Sequence, residues 1–267
     1  MILIGAGVAG LSTGCYAQMN GYDSRIFELH DKPGGLCTSW DRKGYTFDGC
    51  LHWLVGSKPG SSFNRIWQEL GAVQAREMVD HEVFTRLEAA DGRAFILYTN
   101  IERLEAHLLG LAPGDAEPIR AFTRELRRFA RVGDAMGAGP TGLLDAIWTG
   151  MRLLPHLGAL RKYSQMSTRE YAARFSDPFL RECFAKLFDL PDFPMLGMLL
   201  TLGWMHNQDA GYPIGGSLAF ARSIERRYLD LGGEIAYSSP VDRILVEEDS
   251  AVGVRLSDGT EHYAALV

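Results

Sequence analysis

The chain of 267 residues has no long apolar run, no block of like charge, no paired-cysteine motif and no repeat. Its most apolar stretch, Phe193 to Met205, is shorter than the ~20 residues a membrane-spanning helix needs, and Gly197 and Gly203 interrupt it. The formal net charge is −6 and no basic cluster stands out, so there is no electrostatic footprint for nucleic acid. Cys15, Cys37, Cys50 and Cys183 show no CxxC spacing, and no Cys/His set is spaced as metal ligands are. Thiols scattered in this way fit a reducing compartment. There is no low-complexity tract and no Pro/Ser/Gly linker. The chain opens directly on Ile2-Leu3-Ile4 rather than on a charged leader, so no signal peptide is expected. What remains is a globular chain, 46% apolar and 22% charged, long enough for one large domain or two small ones. A cytoplasmic location is expected, with peripheral contact to a membrane surface left open.

The residues that carry chemistry lie in the first 35. Ile2 to Ile4 reads as a strand buried on both faces. Gly5-Ala6-Gly7-Val8-Ala9-Gly10 follows, then a helical run to Asn20 that Gly21 ends. In a G-x-G-x-x-G turn Gly5 allows the tight turn, Gly7 allows the backbone to approach a pyrophosphate, and Gly10 allows close packing of the helix. The helix N-terminus adds free N–H groups and the positive end of its dipole. Arg25 to Leu29 reads as a second strand, with Glu28 placed 18 residues after Gly10, where a carboxylate can accept from ribose hydroxyls. Strand, glycine turn, helix and acid together point to a dinucleotide. A nicotinamide-binding unit usually continues into another crossover helix. This chain runs instead into Pro33-Gly34-Gly35-Leu36-Cys37 and a polar extended stretch.

Further along, Asp41 to Gly44 predicts a hairpin turn, and Ser62 caps a helix from Phe63 to Leu70. Asp91-Gly92 predicts a hairpin between strands 82–89 and 93–99. Asn100 caps a helix to Leu109, and another runs from Glu117 to Arg131 with its arginines on a solvated face. Residues 133–142 form a glycine-rich loop. Leu143, Leu144, Ile147, Trp148, Met151 and Leu154 then share one helical face. We take that face as core-facing; the sharper reading is a helix on a membrane surface or over an apolar tunnel. Ser167 and Glu170 spell a capping box, and a helix from Phe179 to Phe188 follows Asp177-Pro178. The Phe193 to Met205 stretch suits either an adaptable apolar lining or ordinary core. A last helix, Leu218 to Leu231, precedes four strands, the first of which should lie parallel to strand 2.

With these motifs the chain resembles the phytoene desaturase, carotenoid isomerase and retinol saturase group of FAD-dependent oxidoreductases, within the amine oxidase superfamily. The resemblance rests on Ile2 to Gly35, on Gly44-Tyr45-Thr46-Phe47-Asp48-Gly49 with His52, and on Tyr212-Pro213-Ile214-Gly215-Gly216 through Asp258-Gly259. It implies an α/β fold: a Rossmann-like FAD-binding domain with a parallel sheet and a β-meander, carrying an inserted α+β substrate domain. Residues 1–75 and 210–267 would form the FAD-binding domain and residues 76–209 the mostly helical substrate domain. Gly5, Gly7, Ala9 and Gly10 would cradle the FAD pyrophosphate, Glu28 would hold the adenosine ribose, and Gly34, Gly35 and Leu36 would line the phosphates and ribityl chain. Val241 would offer its backbone to the adenine edge. Leu36 stands where many members carry Arg, and Leu36-Cys37 with Asp48 and His52 is nearer the retinol saturase-like branch. Members continue into a further substrate-domain segment and a glycine-rich C-terminal FAD motif, so this chain is expected to be a fragment.

The resemblance implies hydride transfer between flavin and a lipophilic polyene or isoprenoid substrate, in desaturation, saturation or isomerisation. No Ser/His/Asp constellation is present and no catalytic residue is assigned. His52 is read as structural and Asp48 as fixing a turn. The alternatives are an amine oxidase-like flavoenzyme and a non-catalytic prenyl-binding chaperone of the same fold.

Overall fold

The computed structural model describes residues 1–136, 142–187, 190 and 192–267. The chain divides into two compact units: Met1–Leu54, Asn64–Met78 and Tyr212–Val267 form the first, Val55–Phe63 and Val79–Gly211 the second.

The first unit is built on a parallel sheet. Arg25–Phe27 is its central strand, flanked by Ile2–Ile4 and Glu234–Ala236. Register aligns Leu3, Ile26 and Ile235 across the sheet, so the strand after the last helix does lie parallel to strand 2. The two-residue period of a strand then sorts the side chains. Leu3, Ile26 and Ile235 face the helices Val8–Met19 and Gly216–Asp230, packing with Leu11, Cys15, Phe220, Ile224 and Tyr228. Ile2, Phe27 and Ala236 face the other way, onto Val254 and Leu256. Those two belong to an antiparallel meander of Val241–Glu247, Ser250–Leu256 and Glu261–Tyr263. The unit is thus helices, parallel sheet and meander in three layers. Full burial of a side chain such as Ile26 stabilises it by about 1.5–3 kcal/mol. Tyr228 locks the helix layer: its hydroxyl donates to the Ser24 carbonyl at 2.7 Å, and its ring occupies the space a Cβ at Gly14 would need, at 2.7 Å. After strand 2, Ser39–Arg42 and Tyr45–Asp48 form the expected hairpin, its turn made by Lys43 at φ 51° and Gly44 at φ 82°.

The second unit pairs a hairpin with helices. Val83–Glu88 and Ala94–Tyr98 turn at Asp91-Gly92, and Asn100 caps Ile101–Leu111 by accepting from Arg103 N at 2.9 Å. The remaining helices are Ala116–Met136, Leu143–Leu153, Leu157–Ser164, Thr168–Ala172, Pro178–Lys186 and Met195–His206. The Ser167/Glu170 capping box forms in both directions, and Asp177 caps the helix after it. Phe122, Phe129, Tyr171, Phe175 and Phe184 make an aromatic centre, against which Met195, Met198 and Leu199 are wholly buried. Most of Met195–His206 is therefore core, and its C-terminal residues Met205 and His206 border a cavity with Thr99, Asn100 and Arg103. Asp115 is buried and holds the turn before Pro178, accepting from Ser176 N and Asp177 N at 2.8 Å each. On the long helix, Arg127 pairs with Glu105 at 2.9 Å and Glu102 at 3.4 Å, so the arginine face is laced by ion pairs.

One expectation fails here. The apolar stripe from Leu143 to Leu154 does not face the core. Leu143 is 79% exposed, Trp148 60% and Leu154 61%, while Ile147 and Met151 are half open. Ala146, Thr149 and Leu153 form the inward side of that helix, and Leu153 packs on the core. The side of two small residues and one large one is the half-buried one; periodicity identifies an apolar face without saying what covers it. The glycine-rich loop expected at 133–142 begins later than expected, since residues 133–136 continue the helix Ala116–Met136; residues 137–141, the Leu144 side chain and Phe188 lie outside the described residues.

Candidate functional site

The first unit brings two glycine turns together at the carboxyl end of its parallel sheet. The first begins where Ile2–Ile4 ends. Gly5 takes φ +93° and its N–H donates to the Phe27 carbonyl at 2.8 Å, tying the turn to strand 2. Gly7 is the N-cap of Val8–Met19, and among the described residues no side chain caps that helix. The first helical bond runs from Leu11 N to Gly7 O at 2.9 Å, so the amides of Val8, Ala9 and Gly10 leave the helix end with no intrahelical acceptor. Ala9 is exposed there. The second turn, Gly34 at φ +111° and Gly35 at φ +58°, lies against the first. Gly34 N donates to Ala6 O at 2.8 Å, and Gly7 and Gly34 form a parallel bridge.

The glycines differ in why they are glycine. A Cβ at Gly10 would strike the Gly5 carbonyl oxygen, and one at Gly34 the Cys37 carbonyl oxygen; both are required by the protein's own packing. A Cβ at Gly35 would come within 3.3 Å of Gly7 Cα. Gly7 is the exception. A Cβ there would meet only the Gly34 carbonyl, at 3.9 Å, and its φ of −66° suits any residue. Among the described residues nothing occupies the space that the missing side chain leaves, beside three free amides at a positive helix end. That is the geometry an extended anion such as a pyrophosphate fits.

Glu28 follows strand 2 and is 4% exposed. Its Oε2 accepts from Ala6 N at 2.5 Å, inside the glycine turn, and its Oε1 accepts from His30 N at 2.9 Å. Each oxygen keeps a further lone pair for a hydroxyl. Ser239 N donates to the Glu28 carbonyl at 2.8 Å, which sets Val241 two residues beyond that contact, at the head of the meander and against Leu256. Leu36, at 93% exposed, packs on nothing beyond its own turn. Residues 28–38 make turns and no crossover helix, then lead into the Ser39–Asp48 hairpin.

Asp48 does more than fix its own turn. Its carboxylate accepts from Ser217 N at 2.6 Å, from the Ser217 hydroxyl, and from Cys50 N at 3.3 Å, clamping the hairpin to the N-terminus of Gly216–Asp230. Burial pushes the Asp48 carboxyl up, but the Ser217 hydroxyl and amide outweigh it and hold it below the usual range. Arg76 anchors the same helix from another side, donating to Ile214 O at 2.9 Å, Ala219 O at 3.1 Å and Ser223 Oγ at 2.8 Å. Ser217 and Arg76 were invisible to motif reading because their partners lie 169 and 138 residues away. Cys37, just past the second turn, lies against Ser217 O at 3.6 Å and against the Cys50 thiol, and burial raises it to about 12. His52 is exposed beside Trp53.

These features define a Rossmann-like unit. The sequence family described as the NAD(P)-binding Rossmann-like domain matches residues 3–70. The chain is similar over its whole length to the neurosporene-forming phytoene desaturase of Rhodobacter capsulatus, at 29% identity and covering 51% of that protein. It is also similar to the chloroplastic prolycopene isomerase of Daucus carota, at 25% identity over 98% of this chain and 44% of that one. Among solved structures, an oxidoreductase from Methanosarcina mazei superposes with a TM-score of 0.62 at 21% identity, covering 100% of this chain and 57% of that one. The chain spans about half the length of the curated relatives it matches. The chain thus shares sequence with a phytoene desaturase and a prolycopene isomerase, and it shares its fold with an oxidoreductase.

Proposed function

We propose that the chain carries the FAD-binding site of an oxidoreductase acting on a lipophilic polyene or isoprenoid. The observation that carries this reading is the pairing of the two glycine turns, with open space at Gly7 beside the free amides of Val8, Ala9 and Gly10. Gly5, Gly7, Ala9 and Gly10 would receive the pyrophosphate. Gly34, Gly35 and Leu36 would follow the chain toward the ring, Glu28 would hold the ribose, and Val241 would present its backbone to the adenine. The route taken after strand 2 supports FAD over a nicotinamide dinucleotide. The chain spends residues 28–38 on a second phosphate-compatible turn where a crossover helix would otherwise stand. The substrate class is supported by the carotenoid-processing relatives, because Met195–His206 is mostly core and says nothing of the substrate.

Bound flavin supplies hydride acceptance and return. The protein's share is to hold the cofactor's phosphates at the helix end and to place the Glu28 side chain at the ribose. The Asp48–Ser217 clamp keeps the hairpin after the second turn in one place. The test is a titration of the chain with FAD and separately with NAD and NADP, read by flavin fluorescence and by the shift in Tm. FAD is expected to quench and to stabilise. A response to NAD or NADP alone would overturn the flavin assignment, and no response to any of them would overturn the dinucleotide site.

A further inference from the structure

The hairpin after the second glycine turn brings two thiols together at its base. Its register pairs Arg42 with Tyr45, Asp41 with Thr46, Trp40 with Phe47 and Ser39 with Asp48. Carried two residues outward on each arm, the same register sets Cys37 opposite Cys50. The side chains meet as that alignment requires. The two thiols are in hydrogen-bonding contact, and both cysteines belong to the apolar cluster that includes Phe220 and Ile224. Ser217 stands beside both arms. Cys37 Sγ donates to its carbonyl at 3.6 Å, and its hydroxyl accepts from Leu51 N, next to Cys50, at 2.9 Å. Neither cysteine is bridged; Cys37 is buried and Cys50 is partly open. Cys15 turns instead to Ile224 O at 3.8 Å, and Cys183 lies in the core of the second unit.

We propose that Cys37 and Cys50 close into a reversible disulfide, a redox latch that fixes the exit of the second glycine turn to the segment held by Asp48 and Ser217. Directly opposed residues of an antiparallel pair stand ~4.5–5.5 Å apart between Cα atoms, within the ~4.4–6.8 Å that a disulfide spans. The bond closes a loop of 13 positions (50 less 37) around the hairpin Ser39–Asp48. In a reducing compartment such a pair rests as thiols and closes under oxidation. The oxidant is a small disulfide of the glutathione kind. Cys50, the more open of the two, exchanges first: its thiolate attacks one sulfur of the small disulfide, forms a mixed disulfide and expels a thiolate. The Cys37 sulfur, once its proton is lost to water, attacks the Cys50 sulfur, closes the bridge and expels the second thiolate. The two cysteines thus give up two electrons and two protons, and the small disulfide becomes two thiols. The latch lies wholly within the first unit and needs no bound flavin, so it is tested apart from the cofactor site.

The experiment treats the flavin-free chain with oxidised glutathione, then maps disulfides by mass spectrometry without reduction. Trypsin cuts after Arg42 and Lys43, which puts the two cysteines on separate peptides that only the bridge joins. The expected result is a Cys37–Cys50 bridge within one chain, opened again by dithiothreitol, with Cys15 and Cys183 left as thiols. The oxidised chain should melt about 6–12 °C above the reduced one. Hydrogen exchange across Ser39–Asp48 should slow on the order of tenfold. Cys37→Ala should leave Cys50 carrying glutathione, Cys50→Ala should leave Cys37 as a thiol, and neither variant should gain Tm on oxidation. Glutathione that stays on Cys50 of the wild type overturns the proposal, as does a bridge to Cys15 or Cys183, a bridge between two chains, or no oxidation at all. A Cys37–Cys50 bridge that leaves Tm and hydrogen exchange unchanged also overturns it, because the bond then holds nothing in place. FAD titration of the reduced chain should give the same affinity with and without Cys50→Ala, which keeps a failure of the latch distinct from a failure of the flavin site.

Discussion

Gly7 and Gly10 sit three residues apart in one turn, yet they should fail in opposite ways when each is changed to Ala. At Gly10 the added methyl meets the Gly5 carbonyl oxygen, a backbone atom that strand 1 and the Gly5–Phe27 bond hold in place. Overpacking of that kind costs about 1–3 kcal/mol or more. At ~2–4 °C per kcal/mol for a chain of this size, Tm should fall by about 2–12 °C. At Gly7 the methyl meets the Gly34 carbonyl at 3.9 Å, an ordinary contact, with φ already at −66°. The loss of chain entropy in the unfolded state and the weaker N-cap preference of Ala offset each other, leaving stability within about 0.5 kcal/mol. The methyl nevertheless stands in the space assigned to the pyrophosphate, so FAD affinity should fall tenfold or more, about 1.4 kcal/mol. Thermal unfolding by circular dichroism and FAD fluorescence titration separate the two effects. If Gly7→Ala lowers Tm as far as Gly10→Ala, the open space at Gly7 is wrong. If Gly7→Ala binds FAD as the wild type does, the phosphate site lies elsewhere.

Asp48→Ala leaves Ser217 N, the Ser217 hydroxyl and Cys50 N without their acceptor, and should cost about 2–3 kcal/mol in chemical denaturation. Asp115, like Asp48, has a folded pKa below its ordinary 3.8, since the Asp177 and Ser176 amides outweigh burial. Stability from both is therefore complete above that value and lost as pH falls through the lowered ones. Acid unfolding followed by fluorescence should begin below about pH 4, and Asp115→Asn should flatten its onset. Burial raises Cys37 to about 12 and Cys15 and Cys183 to about 11, so alkylation at pH 8 with mass-spectrometric mapping should label Cys50 first. Tyr228→Phe removes the donor to Ser24 O from a buried site and should cost about 1–2 kcal/mol in the same denaturation assay, without changing FAD affinity.

The parts of this molecule that sequence revealed are those whose physics is local. A glycine at positive φ, a capping box or a Lys-Gly turn is decided by a few neighbouring residues, and Gly5, Gly44, Ser167 and Asn100 do what their types suggest. The parallel placement of Glu234–Ala236 was accessible for a different reason, because few topologies suit a strand that follows such a helix. The clamp at Ser217 and the Arg76 anchor were not accessible. Each is an ordinary polar residue whose role comes only from a distant partner. The outward stripe at Leu143–Leu154 was misjudged because a helical period fixes which residues share a face, while the choice between core and surface belongs to the inward residues Ala146, Thr149 and Leu153.

The central strand has a consequence for how the protein is made. Ile26 pairs with Leu3 at once but with Ile235 only after 209 more residues (235 less 26). At ~5–20 residues per second of synthesis, strand 2 waits about 10–40 seconds with one edge bare. Through that interval the ribosome releases the whole of the second unit. The glycine turn is thus made well before the sheet that positions it is complete. Until then the chain presents an open strand edge to other nascent chains and to chaperones.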